Sequence, residues 1–192
     1  MESMLAEPTD NAPTDVTLRA VTPRRFTLLA DQLIAIYVAA MRYPPGTAGG
    51  RRQLWLEHSA RPGFACVAAF DPDQQPLAFG YGYTGRHGQW WHNEVQRGMT
   101  TALRNEWLTD YFELTELHTR PDAQGHRIGE QVLRTLLTDR PERRVLLSTP
   151  EGENRAWRLY RRLGFSDVLR QYRFTGDPRP FGILGRALPV DV

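Results

Sequence analysis

Hydrophobic positions recur along the chain with two different spacings, and these spacings predict an alternation of strands and helices. The stretches VTLRAVT (16–22) and YFELTELHT (111–119) are rich in β-branched and aromatic residues, which is typical of strands. After Thr22 and Pro23, a cap followed by a proline suited to the first helical position, the spacing becomes that of a helix. The hydrophobic face of this helix holds Leu29, Leu33, Ile36, Tyr37, Ala40 and Met41.

The same patterns, followed along the whole chain, predict the order of the elements. Strands are predicted near 16–22, 63–70, 76–84, 111–119, 144–150, 166–175 and 181–188. Helices are predicted after Pro23, at 51–61, at the end of the stretch 120–137 and at 153–165. Residues 85–108 are predicted to form a loop with a helical piece. The order β-α-α-β-β-β-α-β-α-β-β indicates an α/β domain with a mixed sheet.

Composition supports one globular domain. The chain has 192 residues, 41% of them hydrophobic, which is enough to bury a core. Residues 1–15 are predicted to be a flexible tail and 16–192 a single domain. Cys66 is the one cysteine and stands in an apolar run, so we expect a core residue and no intramolecular disulfide. The first residues lack the pattern of a secretory signal and no apolar run is long enough to span a membrane, so we predict a cytoplasmic protein.

Charge narrows the range of partners. All 24 basic residues counted as Lys or Arg are arginine, which is more typical of GC-rich, bacterial coding than of a chemical requirement. The formal net charge is only +2, and such a balance does not favour a nucleic-acid-binding surface. We therefore expect no nucleic-acid partner and no membrane partner.

The stretch RPDAQGHRIGEQVLRTLL (120–137) places glycines at the beginning of an amphipathic helix. Helix N-termini offer free amides and a partial positive charge, which suit a phosphate group. Gly125 would allow the backbone to approach an anion, and Gly129 would allow the helix to pack closely on its neighbour. The alternative is an ordinary turn between a strand and a helix.

A second stretch, ENRAWRLYRRLGF (153–165), follows one strand later. Asn154 is placed to cap this helix, and Tyr160 lies on its apolar face. Gly164 is placed to end the helix before the strand that begins near Phe165. Tyr160 is predicted to be either a core residue or one whose hydroxyl reaches a site.

Together the two stretches resemble the signature segments of the GNAT superfamily of acyl-CoA-dependent N-acyltransferases. The first corresponds to the loop Q/R-x-x-G-x-G/A at 124–129, and the second to N-x-x-A-x-x-x-Y-x-x-x-G-F at 154–165. The resemblance covers about residues 16–188. It implies a mixed, mostly antiparallel sheet of about seven strands flanked by about four helices. The chain departs from the family at Arg127, which stands where the loop has its first glycine and should point outward or contact a phosphate.

The resemblance also implies the residues that hold acetyl-CoA. The loop that would bind the pyrophosphate consists of Gln124, Gly125, His126, Arg127, Ile128 and Gly129. The end of strand 111–119, with Leu117, His118 and Thr119, would pair with the pantetheine arm, which Asn154 would also contact. Tyr160 would protonate the departing thiolate, and a backbone amide near Leu117 would stabilise the oxyanion.

An acceptor amine must be neutral to attack, so a base is useful. Glu113 and Glu116 stand on strand 111–119 and lie on opposite faces if that strand is regular. Glu113 is the first choice because the resemblance places a strand glutamate there and because it would share a face with Leu117 and Thr119. Glu116 becomes the better choice if the strand carries a bulge. The alternative is that both are solvated carboxylates, because many members of the family that the chain resembles use no fixed base.

The acceptor side is less specific. Trp90 and Trp91 are predicted to lie in a loop at the acceptor cleft, with Tyr37 on the other side; packing of the tryptophans onto the body is the alternative. The five histidines show no metal-ligand spacing, so no metal site is expected. The predicted function is transfer of an acetyl or other short acyl group to a small-molecule or peptide amine by direct attack, in a possible homodimer. A catalytically silent acyl-CoA-binding or sensor domain is the alternative.

Overall fold

The computed structural model describes residues 15–189, so the predicted tail at 1–15 lies outside it except for its last residue. Within this range the seven strands are β1 (Thr17–Ala20), β2 (Ala65–Phe70), β3 (Pro76–Thr84), β4 (Tyr111–Thr119), β5 (Arg144–Pro150), β6 (Ser166–Tyr172) and β7 (Phe181–Ala187). The six helices are α1 (Pro23–Met41), α2 (Ala48–Ser59), α3 (Trp90–Arg97), α4 (Thr101–Trp107), α5 (Ile128–Leu137) and α6 (Arg155–Arg162). Short 3₁₀ turns precede α2 and α5.

The strands form one sheet in the order β1-β2-β3-β4-β5-β7-β6. All neighbours are antiparallel except β4 and β5, which run parallel. The prediction of a mixed, mostly antiparallel sheet of about seven strands is therefore confirmed.

Helices cover both faces of the sheet. On one face α1 and α2 pack on β2 and β3 through an aromatic cluster that includes Phe26, Trp55 and Tyr81. On the other face α5 and α6 pack through a cluster that includes Val132 and Tyr160. The start of α1 is as predicted, because Thr22 caps it by accepting a hydrogen bond from the amide of Arg25.

The prediction of about four helices is wrong, since the segment predicted as a loop with one helical piece forms both α3 and α4. Trp90 and Trp91 are the first residues of α3 rather than loop residues. A break at 98–100 separates the two helices, and Thr100 caps the second by accepting a hydrogen bond from the amide of Leu103. Both helices are short and follow one another closely, so each has too few turns for its pattern to be separated from that of a loop.

Strand β4 carries a bulge. Glu116 is opposite Tyr81 of β3, but the next residue of β3, Gly82, is opposite Leu114, so Thr115 is an extra residue. An extra residue reverses the alternation of side chains between the two faces. Glu113 and Glu116 therefore lie on the same face. The opposite-face arrangement expected of a regular strand does not apply, and the strand has the bulge for which Glu116 is the better choice.

The bulge also separates Glu113 from the residues at the end of β4. Leu117 pairs with Gly80 of β3 and lies on the face that α5 covers, and Thr119 lies against Gly129 of α5. Glu113 faces the opposite side, where it contacts Tyr83. The expectation that Glu113 shares a face with Leu117 and Thr119 is therefore wrong.

Candidate functional site

An opening in the centre of the sheet separates the ends of β4 and β5. The two strands pair over three residues, from Tyr111 opposite Arg144 to Glu113 opposite Leu146. Beyond that point β4 pairs with β3 alone and β5 with β7 alone. Residues 114–119 pair with β3 on one side only. On the side that faces the opening, their backbone groups have no partner strand among the described residues. Such an edge suits an extended ligand that adds hydrogen bonds as a strand would.

A structured loop follows the end of β4. The side chain of Gln124 donates a hydrogen bond from Nε2 to the carbonyl of Thr119 (3.1 Å) and accepts one at Oε1 from Arg155 (2.8 Å). These bonds tie the loop both to β4 and to the first residue of α6. Gly125 adopts a φ of +95°, which strongly favours glycine, and nothing lies within 4 Å of the position that a Cβ would take there. The loop therefore has open space at its turn.

The helix that follows presents its amides toward this loop. The first turn of α5 closes with a hydrogen bond from the amide of Gln131 to the carbonyl of Arg127. The amides of residues 128–130 precede that bond and point out of the helix N-terminus. A Cβ on Gly129 would lie 2.9 Å from Thr119 Oγ1, so the glycine lets α5 begin directly against β4. Arg127 has a φ of 59° and an exposed side chain, so it takes the left-handed conformation that a glycine would take.

Asn154 and Tyr160 lie on α6, on the side of β5. Asn154 caps the helix, since its Oδ1 accepts a hydrogen bond from the amide of Trp157 (3.1 Å). Tyr160 is 7% exposed and packs against Phe165. Burial raises the pKa of Tyr160 well above its usual value, and the charge of Glu116 raises it further. The hydroxyl of Tyr160 is therefore protonated at neutral pH and lies within the electrostatic reach of Glu116.

Glu116 is part of a polar cluster on the β4 side of the opening. Its carboxylate lies 2.7 Å from Nε2 of His118, and each side chain is about one-tenth exposed. The His118 ring contacts the ring of Tyr37 edge-on at 5.1 Å. Burial raises the pKa of Tyr37 to about 12, with Glu116 raising it and Arg51 lowering it. The carboxylate of Glu116 and the guanidinium of Arg51 therefore both lie near the Tyr37 hydroxyl.

Glu113 is in a different environment, although it lies on the same face. It is 3% exposed and lies where β4 is paired on both sides. One carboxylate oxygen accepts a hydrogen bond from Tyr83 (2.9 Å), and the other has no hydrogen-bond partner among the described residues. Burial raises the pKa of Glu113 to about 7, although the hydrogen bond from Tyr83 and the charge of Arg61 act in the opposite direction.

The three predicted acceptor residues do not come together in one cluster. Tyr37 belongs to the aromatic cluster under α1 and α2, near Glu116. Trp91 is buried and donates a hydrogen bond from Nε1 to Ser148 on β5 (3.2 Å), on the other arm of the opening. Trp90 is 58% exposed and stacks on Phe174. Tyr37 and Trp91 therefore flank the opening from its two sides.

Sequence reasoning missed Arg51 and assigned His118 to the cofactor alone. Arg51 stacks over the ring of Tyr37, with its Cζ 5.0 Å from the ring centroid. It precedes the fully buried Trp55 by four residues, so helical spacing already placed it on the inner face of α2. His118 turns toward Glu116, two residues away on the same face.

Two features of the described residues bear on other classes of protein. No group of three or more His, Cys, Asp or Glu side chains in 15–189 is arranged to hold a metal ion. None of the helices in this part of the chain has the length and apolarity needed to cross a membrane. Cys66 is buried in the core, as expected.

Comparison with known proteins identifies the family. The model of the acetyltransferase (GNAT) family matches residues 30–165. A GCN5-like protein acetyltransferase of Mycobacterium tuberculosis is 47% identical in an alignment that covers 84% of this chain and 92% of the relative.

Solved structures share the fold at low sequence identity. The NatC complex bound to Gag peptide and CoA has a chain that matches with a TM-score of 0.60 and 13% identity, covering 92% of this chain and 100% of that one. A spermidine/spermine N-acetyltransferase of Vibrio cholerae matches with a TM-score of 0.55 and 13% identity, covering 91% of this chain and 94% of that one.

The signature loop and the α6 segment thus lie on the fold that the resemblance implied. The predictions of this family and of an acyltransferase enzyme are confirmed. The chain belongs to the acetyltransferase (GNAT) family.

Proposed function

We propose that the protein transfers an acetyl group from acetyl-CoA to a primary amine of a peptide or protein, by direct attack within a ternary complex. The observation that carries this proposal is the opening between β4 and β5. At one end it has the loop that leads to the free N-terminal amides of α5, and Glu116 and Tyr160 lie within electrostatic reach of one another beside it. An extended cofactor and an amine could therefore meet between an acid and a base.

The residues present fit coenzyme A. The free edge at residues 114–119 would pair with the pantetheine arm near Leu117, His118 and Thr119. The amides from Gln124 to Gly129 would hold the pyrophosphate, with open space at Gly125 and the partial positive charge of α5 behind it. Asn154 would contact the arm from the start of α6. Bound acetyl-CoA supplies an acyl group activated as a thioester.

The proton-handling roles follow from the different surroundings of three side chains. Glu116 is the proposed base. It lies on the part of β4 after the bulge, which has one partner strand (the open half of β4), and it remains partly exposed. Glu113 lies where β4 is paired on both sides and is nearly inaccessible, so an acceptor amine would not reach it. Tyr160 is the proposed acid, since its hydroxyl stays protonated. A backbone amide near Leu117, next to the bulge, is the proposed oxyanion donor.

A peptide or protein amine is favoured as the acceptor by the 47% identical relative, which is named a protein acetyltransferase. The mycobacterial source of that relative also supports a bacterial protein, for which we propose a cytoplasmic location. The sensor alternative would keep the loop and Asn154 but lack a working acid or base. The protonated Tyr160 and the partly exposed Glu116 favour the enzyme over that alternative.

The first test is thermal unfolding with acetyl-CoA and with dephospho-CoA as the control. A ligand that binds the folded state alone stabilises it by about 2.7 kcal/mol at a hundredfold excess over the dissociation constant. We expect a clear rise in the unfolding temperature, followed by acetyl transfer to a lysine peptide detected by mass spectrometry. The chain contains no lysine, so an acetyl-lysine signal can arise only from the acceptor. The absence of any shift at millimolar acetyl-CoA would overturn the proposal.

A further inference from the structure

Two half-buried arginines, Arg51 and Arg61, lie over tyrosine rings without an ion pair among the described residues, and Arg51 is the one near Glu116. It lies in the first turn of α2 and is half-buried, with its guanidinium over the ring of Tyr37. Among the described residues no carboxylate lies within 4.0 Å of this guanidinium. A half-buried charge without a direct ion pair is less favourable than a paired one, so an anionic group that reached it would be bound favourably.

Neighbouring arginines differ in this respect. Arg52, the next residue, is exposed and pairs with Asp31 at 3.1 Å. Arg179, which precedes β7, pairs with Asp177 at 2.6 Å and donates a hydrogen bond to the Tyr43 hydroxyl. Each of these charges already has its partner. Arg51 instead contacts Tyr37, through the ring and through a hydrogen bond to the hydroxyl, and this neutral residue does not neutralise its charge.

The position of Arg51 relative to Glu116 would allow its charge to interact with groups that flank the acceptor amine. Glu116 lies 2.7 Å from His118, the His118 ring contacts Tyr37, and Arg51 lies over the Tyr37 ring. An acceptor amine that reaches Glu116 therefore brings its flanking groups toward Arg51. An anionic flanking group would be attracted to Arg51, and a second ammonium would be repelled. A guanidinium is also well suited to a carboxylate, which it binds with two parallel hydrogen bonds.

We propose that Arg51 is a specificity-determining residue that selects peptide lysines flanked by acidic side chains and rejects polyamines. This inference rests on the proposed function for the reaction itself, but it concerns the choice of acceptor. It separates this chain from polyamine acetylation, the activity in the name of the Vibrio cholerae protein that shares its fold.

The test compares two N-terminally blocked pentapeptides, one with Lys between two Asp residues and one with Lys between two Arg residues, with spermidine as a third probe. Dissociation constants are measured by calorimetry with CoA present, where no transfer occurs, and kcat/KM is measured separately with acetyl-CoA. We expect the acidic peptide to bind the unaltered protein about tenfold more tightly than the basic one, equivalent to about 1.4 kcal/mol. The preference should weaken as salt is raised.

Variants at adjacent arginines provide the matched control. Arg51→Gln should abolish the preference and improve the use of spermidine, whereas Arg52→Gln should leave both unchanged. Arg51→Lys keeps the charge and should keep most of the preference, which separates charge recognition from a loss of folding. Equal binding of the two peptides by the unaltered protein, or a preference that survives Arg51→Gln, would overturn the inference.

The two measurements distinguish the inference from the function on which it rests. Selective binding of the acidic peptide without any acetyl transfer would contradict the proposed function while supporting the role of Arg51. Transfer to both peptides with equal kcat/KM and equal affinity would support the proposed function and contradict the role of Arg51.

Discussion

The two halves of β4 place the same residue type in opposite environments. Before the bulge at Thr115 the strand is paired on both sides (the closed half of β4), and Glu113 is buried away from the opening. After the bulge the strand has one partner, and Glu116 lies beside His118 at the edge of the opening. Both carboxylates face the same side of the sheet. Pairing, rather than residue type or face, therefore decides which of them an acceptor can reach.

The largest expected effect is on catalysis and distinguishes the two glutamates. Glu116→Gln removes the proposed base while preserving the shape of the side chain, so kcat/KM for a lysine peptide should fall by about 10²–10⁴-fold. Glu113→Gln should lower it by less than about tenfold, because that side chain does not reach the acceptor. Initial rates of thiol release measure both variants.

A larger loss of kcat/KM in Glu113→Gln than in Glu116→Gln, with an intact fold by circular dichroism, would reverse this assignment. Glu113 would then be the base, and Glu116 would contribute to binding alone. A loss of similar size in both variants would mean that the two carboxylates act as a unit.

The second-largest expected effect is on the free energy of unfolding. It should appear when Glu113, in the closed half of β4, is replaced. The pKa of Glu113 rises from its ordinary 4.5 to about 7 because the carboxyl is buried. The unfolded chain thus ionises first as pH rises, and the folded state loses stability between about pH 4.5 and 7. A shift of this size corresponds to about 3 kcal/mol, so Glu113→Gln should be more stable than the unaltered protein at pH 8 by about that amount.

Urea denaturation at pH 5 and pH 8 measures this difference. The free energies of unfolding of the two proteins should be closest at the acidic pH and diverge as pH rises. Glu106→Gln, at an exposed glutamate of α4, is the matched control for the loss of one carboxylate. Parallel pH profiles for Glu113→Gln and the unaltered protein would show that the closed half already accommodates a charge.

A smaller effect is expected at Tyr160, a buried residue of α6 within electrostatic reach of Glu116. Burial and the charge of Glu116 keep its hydroxyl protonated, so it acts as a donor rather than a base. A thiolate is a fair leaving group even without an acid, and Tyr160→Phe should therefore lower kcat by only about tenfold. The KM for acetyl-CoA should stay the same. Unchanged turnover in this variant would remove Tyr160 from the mechanism.

The features that could be predicted from the sequence are those that depend on neighbouring residues. The loop at 124–129, the cap at Asn154 and the start of α1 at Thr22 depend on short-range signals, and they could be predicted because glycine and capping residues act locally. The sheet could be predicted from strand patterns. The order of the elements and the resemblance of two segments were enough for the family.

The other features depend on contacts between distant parts of the chain. The bulge at Thr115 exists only in the pairing of β4 with β3, and its consequence for Glu113 and Glu116 cannot be seen from strand periodicity. The neighbours of Arg51 come from α1 and β4, so its place on Tyr37 near Glu116 depends on how the layers pack. The helices α3 and α4 are too short for a clear period.

The smallest expected effect concerns the loop in which the open half of β4 ends. Gly125 and Arg127 both have positive φ, at +95° and 59°. The left-handed conformation costs a residue with a side chain about 1–2 kcal/mol, whereas the greater freedom of glycine in the unfolded chain costs about 0.5–1 kcal/mol. Arg127→Gly should therefore change the free energy of unfolding by less than about 1.5 kcal/mol and stabilise the protein slightly.

Gly125→Ala is the matched opposite, because it adds strain at a turn that needs glycine and should weaken acetyl-CoA binding. Arg127→Gly should leave the dissociation constant for acetyl-CoA unchanged if the exposed side chain points away from the phosphates, as we expect. Calorimetric titration of both variants measures this. If Arg127→Gly weakened binding as much as Gly125→Ala while the fold became no less stable, the arginine would be a phosphate ligand. The departure from the family's loop would then be a gain of charge in the site rather than a tolerated substitution.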